Sequence, residues 1–136
     1  MNPDLRPVPA TNADTAPYWD AAREGRLIYQ RCVECAHVLG YPRGACPVCQ
    51  ARGPGWHESK GAGVIASFSV VHRAPTPAFR SGSPYVLALV DFDEGFRLMM
   101  NVVGEDAHNA SIGDRVRVVF EARGDDGARI PQAVRD

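Results

Sequence analysis

Apolar and polar residues alternate through much of the second half of the chain, and a period of two marks strands that lay one face on a core. Over residues 64–73, Val64, Ala66, Phe68 and Val70 share one face, and Ser67 and Ser69 the other. By the same parity His72 continues the face of Val64 and Val70, taken as the inward one. Residues 85–90 are apolar on both faces, so a covered strand is expected. The acidic run from Asp91 to Gly95 makes a turn. Residues 96–103 set Phe96, Leu98, Met100 and Val102 against Arg97, Met99 and Asn101. Ile112-Gly113-Asp114 then turns into a strand where Val116, Val118 and Phe120 alternate with Arg115, Arg117 and Glu121. Asp125-Asp126-Gly127 signals a hairpin. A last strand, over about 128–134, contains Pro131, which has no N–H to donate and belongs at an edge or a bulge. Five short strands with no interior helix predict a small closed or nearly closed barrel, and the five-stranded OB barrel fits that count.

Upstream the period changes. Tyr18, Trp19 and Ala22 recur at spacings of one, three and four, which predicts a helix over roughly 15–25. Asp14 or Thr15 is expected to accept from its free N–H groups, Pro17 suits the first turn, and Gly25 offers a stop. About three turns are marginal without packing, so Trp19 either packs within the chain or helps dock the helix on a partner. Residues 27–31 form a short strand leading into Cys32, and 37–43 a second one ending at Pro42. Gly and Pro over 52–55 mark a boundary. The organisation expected is a flexible arm over 1–14, a helix over 15–27, a small ribbon over 28–56 and a barrel over 57–136.

Composition narrows the function. A chain of 136 residues can bury about two-thirds of its unfolded surface, but a segment the size of the ribbon needs a staple such as a metal. The formal net charge is −1, and residues 57–136 carry nine basic against eleven acidic groups, a balance of −2. That is not the basic field with which nucleic-acid binders displace counterions. No apolar run reaches membrane-spanning length. Residues 1–16 hold Asp4, Arg6 and three prolines with no apolar stretch, which does not read as a signal peptide. A reducing cytoplasm is the compartment expected, where paired cysteines more often hold metal than form disulfides.

Cys32, Cys35, Cys46 and Cys49 follow the pattern C-x2-C, ten residues, C-x2-C. Two thiolates two residues apart wrap one ion in a tight turn, and two such turns complete a tetrahedron of sulfurs. One structural zinc ion is the expected occupant; an iron–thiolate or iron–sulfur centre and a pair of disulfides are the alternatives. All four cysteines are used, and a closed four-thiolate shell leaves no open position for substrate. His37 and His57 read as surface or supporting groups, and His72 as a rim histidine. Asp91, Asp93 and Glu94 read as a solvated turn. No nucleophile–base pattern or phosphate-cradling loop is visible, so no catalytic residue is assigned. The proline-rich segment 74–84 sits where OB folds carry a binding loop, with Phe79 and Arg80 as its contact candidates.

Several stretches in order carry a family resemblance: Tyr18-Trp19; Glu24-Gly-Arg-Leu27; the four cysteines with Pro42-Arg43 between them; Trp56; Gly61-Ala-Gly-Val64 into Ser67-Phe-Ser-Val-Val-His72; Pro84-Tyr-Val; and Ile112-Gly-Asp114. Over about residues 15–135 the chain resembles the acyl-CoA-associated zinc-ribbon/OB-fold family, long catalogued as a domain of unknown function. The resemblance implies an N-terminal helix, a rubredoxin-like zinc ribbon and a C-terminal OB barrel. It implies a non-catalytic accessory subunit, joined in a hetero-oligomer to a thiolase-fold acyltransferase, synthase or steroid-side-chain aldolase, or to an enoyl-CoA hydratase. On that reading Tyr18, Trp19, Trp56, His72, Phe79, Arg80 and Tyr85 are the contact candidates for partner or acyl-CoA. A single-stranded nucleic-acid module is the alternative, disfavoured by charge. Direct CoA binding through Arg73, Arg80 or Arg97 is a third reading.

Overall fold

A computed structural model describes residues 6–74, 76–80, 84–124 and 126–136. Helix α1 (Ala16–Arg23) leads into a three-stranded sheet of β1 (Ile28–Arg31), β2 (Val38–Leu39) and β3 (Gly55–Glu58), in the order β2-β1-β3. Strands β4 (Ala62–Val71), β5 (Tyr85–Phe92), β6 (Arg97–Val102), β7 (Arg115–Arg123) and β8 (Ala128–Arg135) close a barrel in the order β4-β5-β6-β8-β7. The expected mainly-β architecture of helix, ribbon and five-stranded barrel is present.

Some local expectations change. Pro17 lies in the first turn of α1 and Gly25, at φ +76°, ends it, but neither Thr15 nor Asp14 caps it. Asn12 instead holds the turn that leads into the helix: its Oδ1 accepts the N–H groups of Asp14 (2.9 Å) and Thr15 (3.0 Å). The third ribbon strand, β3, was not foreseen. It pairs antiparallel with β1 from Arg31↔Gly55 to Ile28↔Glu58, so the ribbon sheet includes His57 and Glu58. The 74–84 connection is not free of helix, since α2 (Pro77–Arg80) gives it one turn. Of the expected arm, residues 1–5 lie outside those described, and Arg6 reaches Glu121 at 3.7 Å.

The inward face of β4 is half right. Gly63, Ile65, Phe68 and Val70 pair with Phe92, Val90, Ala88 and Val86, and these β5 residues are buried, but Phe68 itself is 37 % exposed. Val64 instead pairs with Asp91, on the outward face. A bulge between Ile65 and Ser67 absorbs Ala66 and shifts the phase by one, so Val64 and Ala66 are out of register with Phe68 and Val70. His72 falls beyond the strand end and is exposed. On β6 the expected alternation holds, with Leu98, Met100 and Val102 buried and Arg97 and Met99 exposed. Pro131 pairs with Phe120 on β7, while the other edge of β8 meets β6 only at Ala133. An edge-like place is what a residue without an N–H requires. In the expected hairpin at 125–127, Asp125 lies outside the described residues.

One core serves ribbon and barrel. Tyr18, Leu27, Ile28 and Tyr29 belong to the same buried cluster as Ile65, Val90, Leu98 and Val116. An aromatic column runs through it: Phe92 stacks on Phe96 (4.6 Å), Phe96 on Tyr29 (4.8 Å), and Tyr29 on His57 of β3 (5.7 Å). Such stacks add to the area the rings bury.

Candidate metal centre and contact surface

Each pair of cysteines sits in a knuckle, and the two knuckles are built alike. After β1, Cys32 C=O accepts the N–H of Ala36 (3.0 Å), while Cys32 N–H donates to His37 C=O (2.9 Å). In the second, Cys46 C=O accepts from Gln50 (2.9 Å) and Cys46 N–H donates to Ala51 C=O (2.8 Å). Ala36 and Gln50 lie at φ +64° and +66°, the left-handed residues that close each turn. Backbone N–H groups thereby point at sulfur: those of Glu34 (3.4 Å) and Cys35 (3.5 Å) at Cys32 Sγ, and that of Val48 (3.4 Å) at Cys46 Sγ. The Cys35 N–H is the main cause that brings the Cys32 thiol down to about 6. Cys46 is lowered in the same way, chiefly by the N–H of Cys49.

The four Sγ atoms lie within 4.8 Å of one another, with Cys32–Cys49 at 3.4 Å and Cys35–Cys46 at 3.6 Å. Zn–S bonds of about 2.3 Å in a tetrahedron require sulfurs about 3.8 Å apart, so the donor set fits one zinc ion. Thiolates held by aimed N–H donors are the form a metal takes. Cys32 and Cys46 are buried; Cys35 and Cys49 face outward.

A residue that sequence reasoning missed fixes the second knuckle to the first. Gln30, buried in β1, donates through Nε2 to Arg43 C=O (3.0 Å) and accepts the Arg43 N–H at Oε1 (2.8 Å). Its only trace in the sequence is an amide that follows Leu27, Ile28 and Tyr29 in a short strand. Tyr41 was missed too. Its hydroxyl accepts the Met99 N–H (2.8 Å) on the edge of β6.

The contact candidates separate into groups. Tyr18 is buried at 8 % exposure within the core. Trp19 is half-buried with its ring edge-on to Tyr18 at 5.0 Å, and Trp56 is half-buried in β3. Four others lie at one end of the barrel. Val71 pairs with Tyr85, which sets His72 beside the start of β5, and Phe79 of α2 is 6.2 Å from Tyr85. Arg80 ends α2, exposed, and the Arg6 guanidinium lies 5.2 Å from the Phe79 ring. Arg97 makes a bidentate pair with Asp91, beside a second such pair of Arg115 with Asp93. These pairs also tie down Asp91 and Asp93, which the sequence reads as solvated. Among the described residues, no helix is long and apolar enough to cross a membrane.

A four-thiolate ribbon ahead of a closed five-strand barrel defines a zinc-ribbon/OB-fold protein. Comparison with known families makes this particular. The family model described as ChsH2, rubredoxin-like zinc ribbon domain, matches residues 19–55, and the ChsH2 C-terminal OB-fold domain matches 56–121. A DUF35 domain-containing scaffold protein of Methanothermobacter thermautotrophicus is 37 % identical over 74 % of this chain and 78 % of its own length. The chain belongs to this ChsH2-type, DUF35 zinc-ribbon/OB-fold family, and its ribbon holds one structural zinc ion. A probable enoyl-CoA hydratase alpha subunit of Thermomonospora curvata is 41 % identical over 80 % of this chain, which spans only 34 % of that subunit. Among solved structures, a chain of the Ltp2-ChsH2(DUF35) aldolase superposes with a TM-score of 0.81 at 35 % identity, covering 93 % of this chain and 98 % of that one.

Proposed function

We propose that this chain is a non-catalytic scaffold subunit that completes a thiolase-fold or hydratase-fold acyl-CoA enzyme in a hetero-oligomer. The observation that carries this reading is the match, over nearly its full length, to a chain of the Ltp2-ChsH2 aldolase. The chemistry of the metal centre agrees with it. A shell of four thiolates has no place for water or substrate, so its zinc serves folding and not turnover. The cluster of His72, Phe79, Arg80 and Tyr85 at one barrel end is the surface proposed to meet the partner, with Trp19 and Trp56 as further contacts. Aromatic and Arg side chains are the residue types that carry interface energy. Direct contact with acyl-CoA falls to Arg73 and Arg80, since Arg97 is already engaged by Asp91. A reducing cytoplasm, where the thiolates stay unoxidised, is the proposed setting.

The nucleic-acid reading is not favoured. Residues 57–136 carry a balance of −2, and on the barrel exterior Arg97 and Arg115 are neutralised by Asp91 and Asp93. The test is an affinity pull-down of tagged protein from its native host, with co-purifying chains identified by mass spectrometry. A thiolase-fold or hydratase-fold enzyme at near-equal stoichiometry is the expected result. Recovery of this chain alone, or with nucleic acid retained through a low-salt heparin step, would overturn the partner reading.

A further inference from the structure

The barrel closes with an imperfect seam. β6 and β8 pair at one position, Val102 with Ala133, where Val103 N–H also donates to Ala133 C=O (2.7 Å). Toward the start of β6, side chains replace the ladder: Gln132 Oε1 takes the Asn101 N–H (3.1 Å), and Tyr41 takes that of Met99. Between the parted strands lies a cavity of about 240 Å³, walled by Leu98 and Met100 of β6, Ile130 of β8, and Tyr18 and Trp19 of α1. No charged residue lines it.

Three hydroxyls border this otherwise apolar space, those of Thr15 and Tyr41, which accept the N–H groups of Asn12 and Met99, and that of Tyr18. The Tyr18 hydroxyl has no hydrogen-bond partner among the described residues. No side-chain polar atom among them is both fully buried and unpaired, so that hydroxyl keeps some accessible surface. Burial raises the Tyr18 phenol above its ordinary value, with the nearby Tyr41 adding to the rise, so the group stays protonated as a donor. An apolar cavity of about 150 Å³ is known to take up benzene, so this larger, partly open space has room for a compact molecule of up to about ten heavy atoms.

We propose that this cavity binds a small, uncharged, compact compound carrying one carbonyl oxygen, its apolar body among Leu98, Met100 and Ile130 and its oxygen accepting a hydrogen bond from Tyr18. The site is independent of the scaffold reading and stands or falls separately from it.

The chain has three methionines, and two of them, Met99 and Met100, border the cavity, so methyl-labelled methionine reports on it directly. The full-length zinc-loaded protein is titrated with cyclohexanone and followed by methyl NMR. Saturable shifts at Met99 and Met100 are expected. Tyr18→Phe keeps the ring and removes the donor, and should weaken binding about tenfold, the worth of one hydrogen bond in an apolar site. Met99, 55 % exposed at the rim, tolerates Met99→Trp, which should block entry and abolish the shifts. The proposal is overturned by shifts that never saturate, by unchanged affinity in Tyr18→Phe, by binding that survives Met99→Trp, or by equal binding of cyclohexanecarboxylate.

Discussion

Single residues here act mostly by directing backbone groups or neutralising one another. Gln30 clamps the second knuckle, Asn12 holds the turn ahead of α1, and Asp91 and Asp93 hold Arg97 and Arg115 in two-pronged pairs. Hydrogen bonds from Arg97 and Arg115 keep the Asp91 and Asp93 carboxyls below the usual carboxylate range. In the unfolded chain both titrate near about 3.9. A carboxyl depressed by folding stabilises the fold above its unfolded value, and that contribution is lost as pH falls through the folded one. Melting temperature should therefore drop as pH falls below about 4. The drop should be shallower in Arg97→Ala and weaker at high salt, because these pairs face solvent. Melting curves for wild type and variant across pH 3–5 (about the range of the carboxyls) would check this. A drop identical in both proteins would show that the pair contributes nothing.

At the scale of elements, the decisive contacts lie between ribbon and barrel. Gly40 follows β2 and presses on β6: a Cβ there would lie 2.7 Å from Arg97 C=O and 2.9 Å from Leu98 Cδ2. Tyr41, next in sequence, caps the Met99 N–H. Tyr41→Phe should cost about 1 kcal/mol in denaturant unfolding and speed hydrogen exchange at the Met99 amide. Gly40→Ala should cost about 1–3 kcal/mol, because ribbon and barrel must move apart to admit the methyl. An unchanged Met99 exchange rate in Tyr41→Phe would show that water already serves that amide. The strands themselves were legible from alternation, β6 almost residue by residue. β4 was misread over its first half because a bulge is a property of two paired strands, and period counting within one strand has no signal for it. β3 was missed for a related reason. Gly55-Trp-His-Glu58 has no clean alternation, and only the free edge of β1 makes it a strand.

For the whole molecule, zinc and the aromatic column are two separate ties. Metal binding to a ribbon this small is itself folding free energy, so a chelator should lower the melting temperature of the intact chain. Cys46→Ser should release the ion and disorder the two knuckles while the barrel stays folded. Because Tyr29 stacks on Phe96 and both share one core, chemical-shift changes should extend to Phe96 and to β6 around Met99. Two-dimensional NMR of the variant tests this; collapse of the barrel signals would show that the metal holds up both halves.

The sequence by itself determined the metal centre and the class of fold. Thiolate spacing and strand alternation are local patterns, and each states its consequence within a dozen residues. It also placed Tyr18 and Trp19 on one short helix without saying what that helix would cover. Only the tertiary structure decided that Tyr18 is a core residue, that Tyr41 and Gln132 stand in for missing ladder bonds, and that the seam between β6 and β8 encloses a cavity. Those features arise where segments distant in sequence meet, and no periodicity within a segment encodes how well two edges will pair.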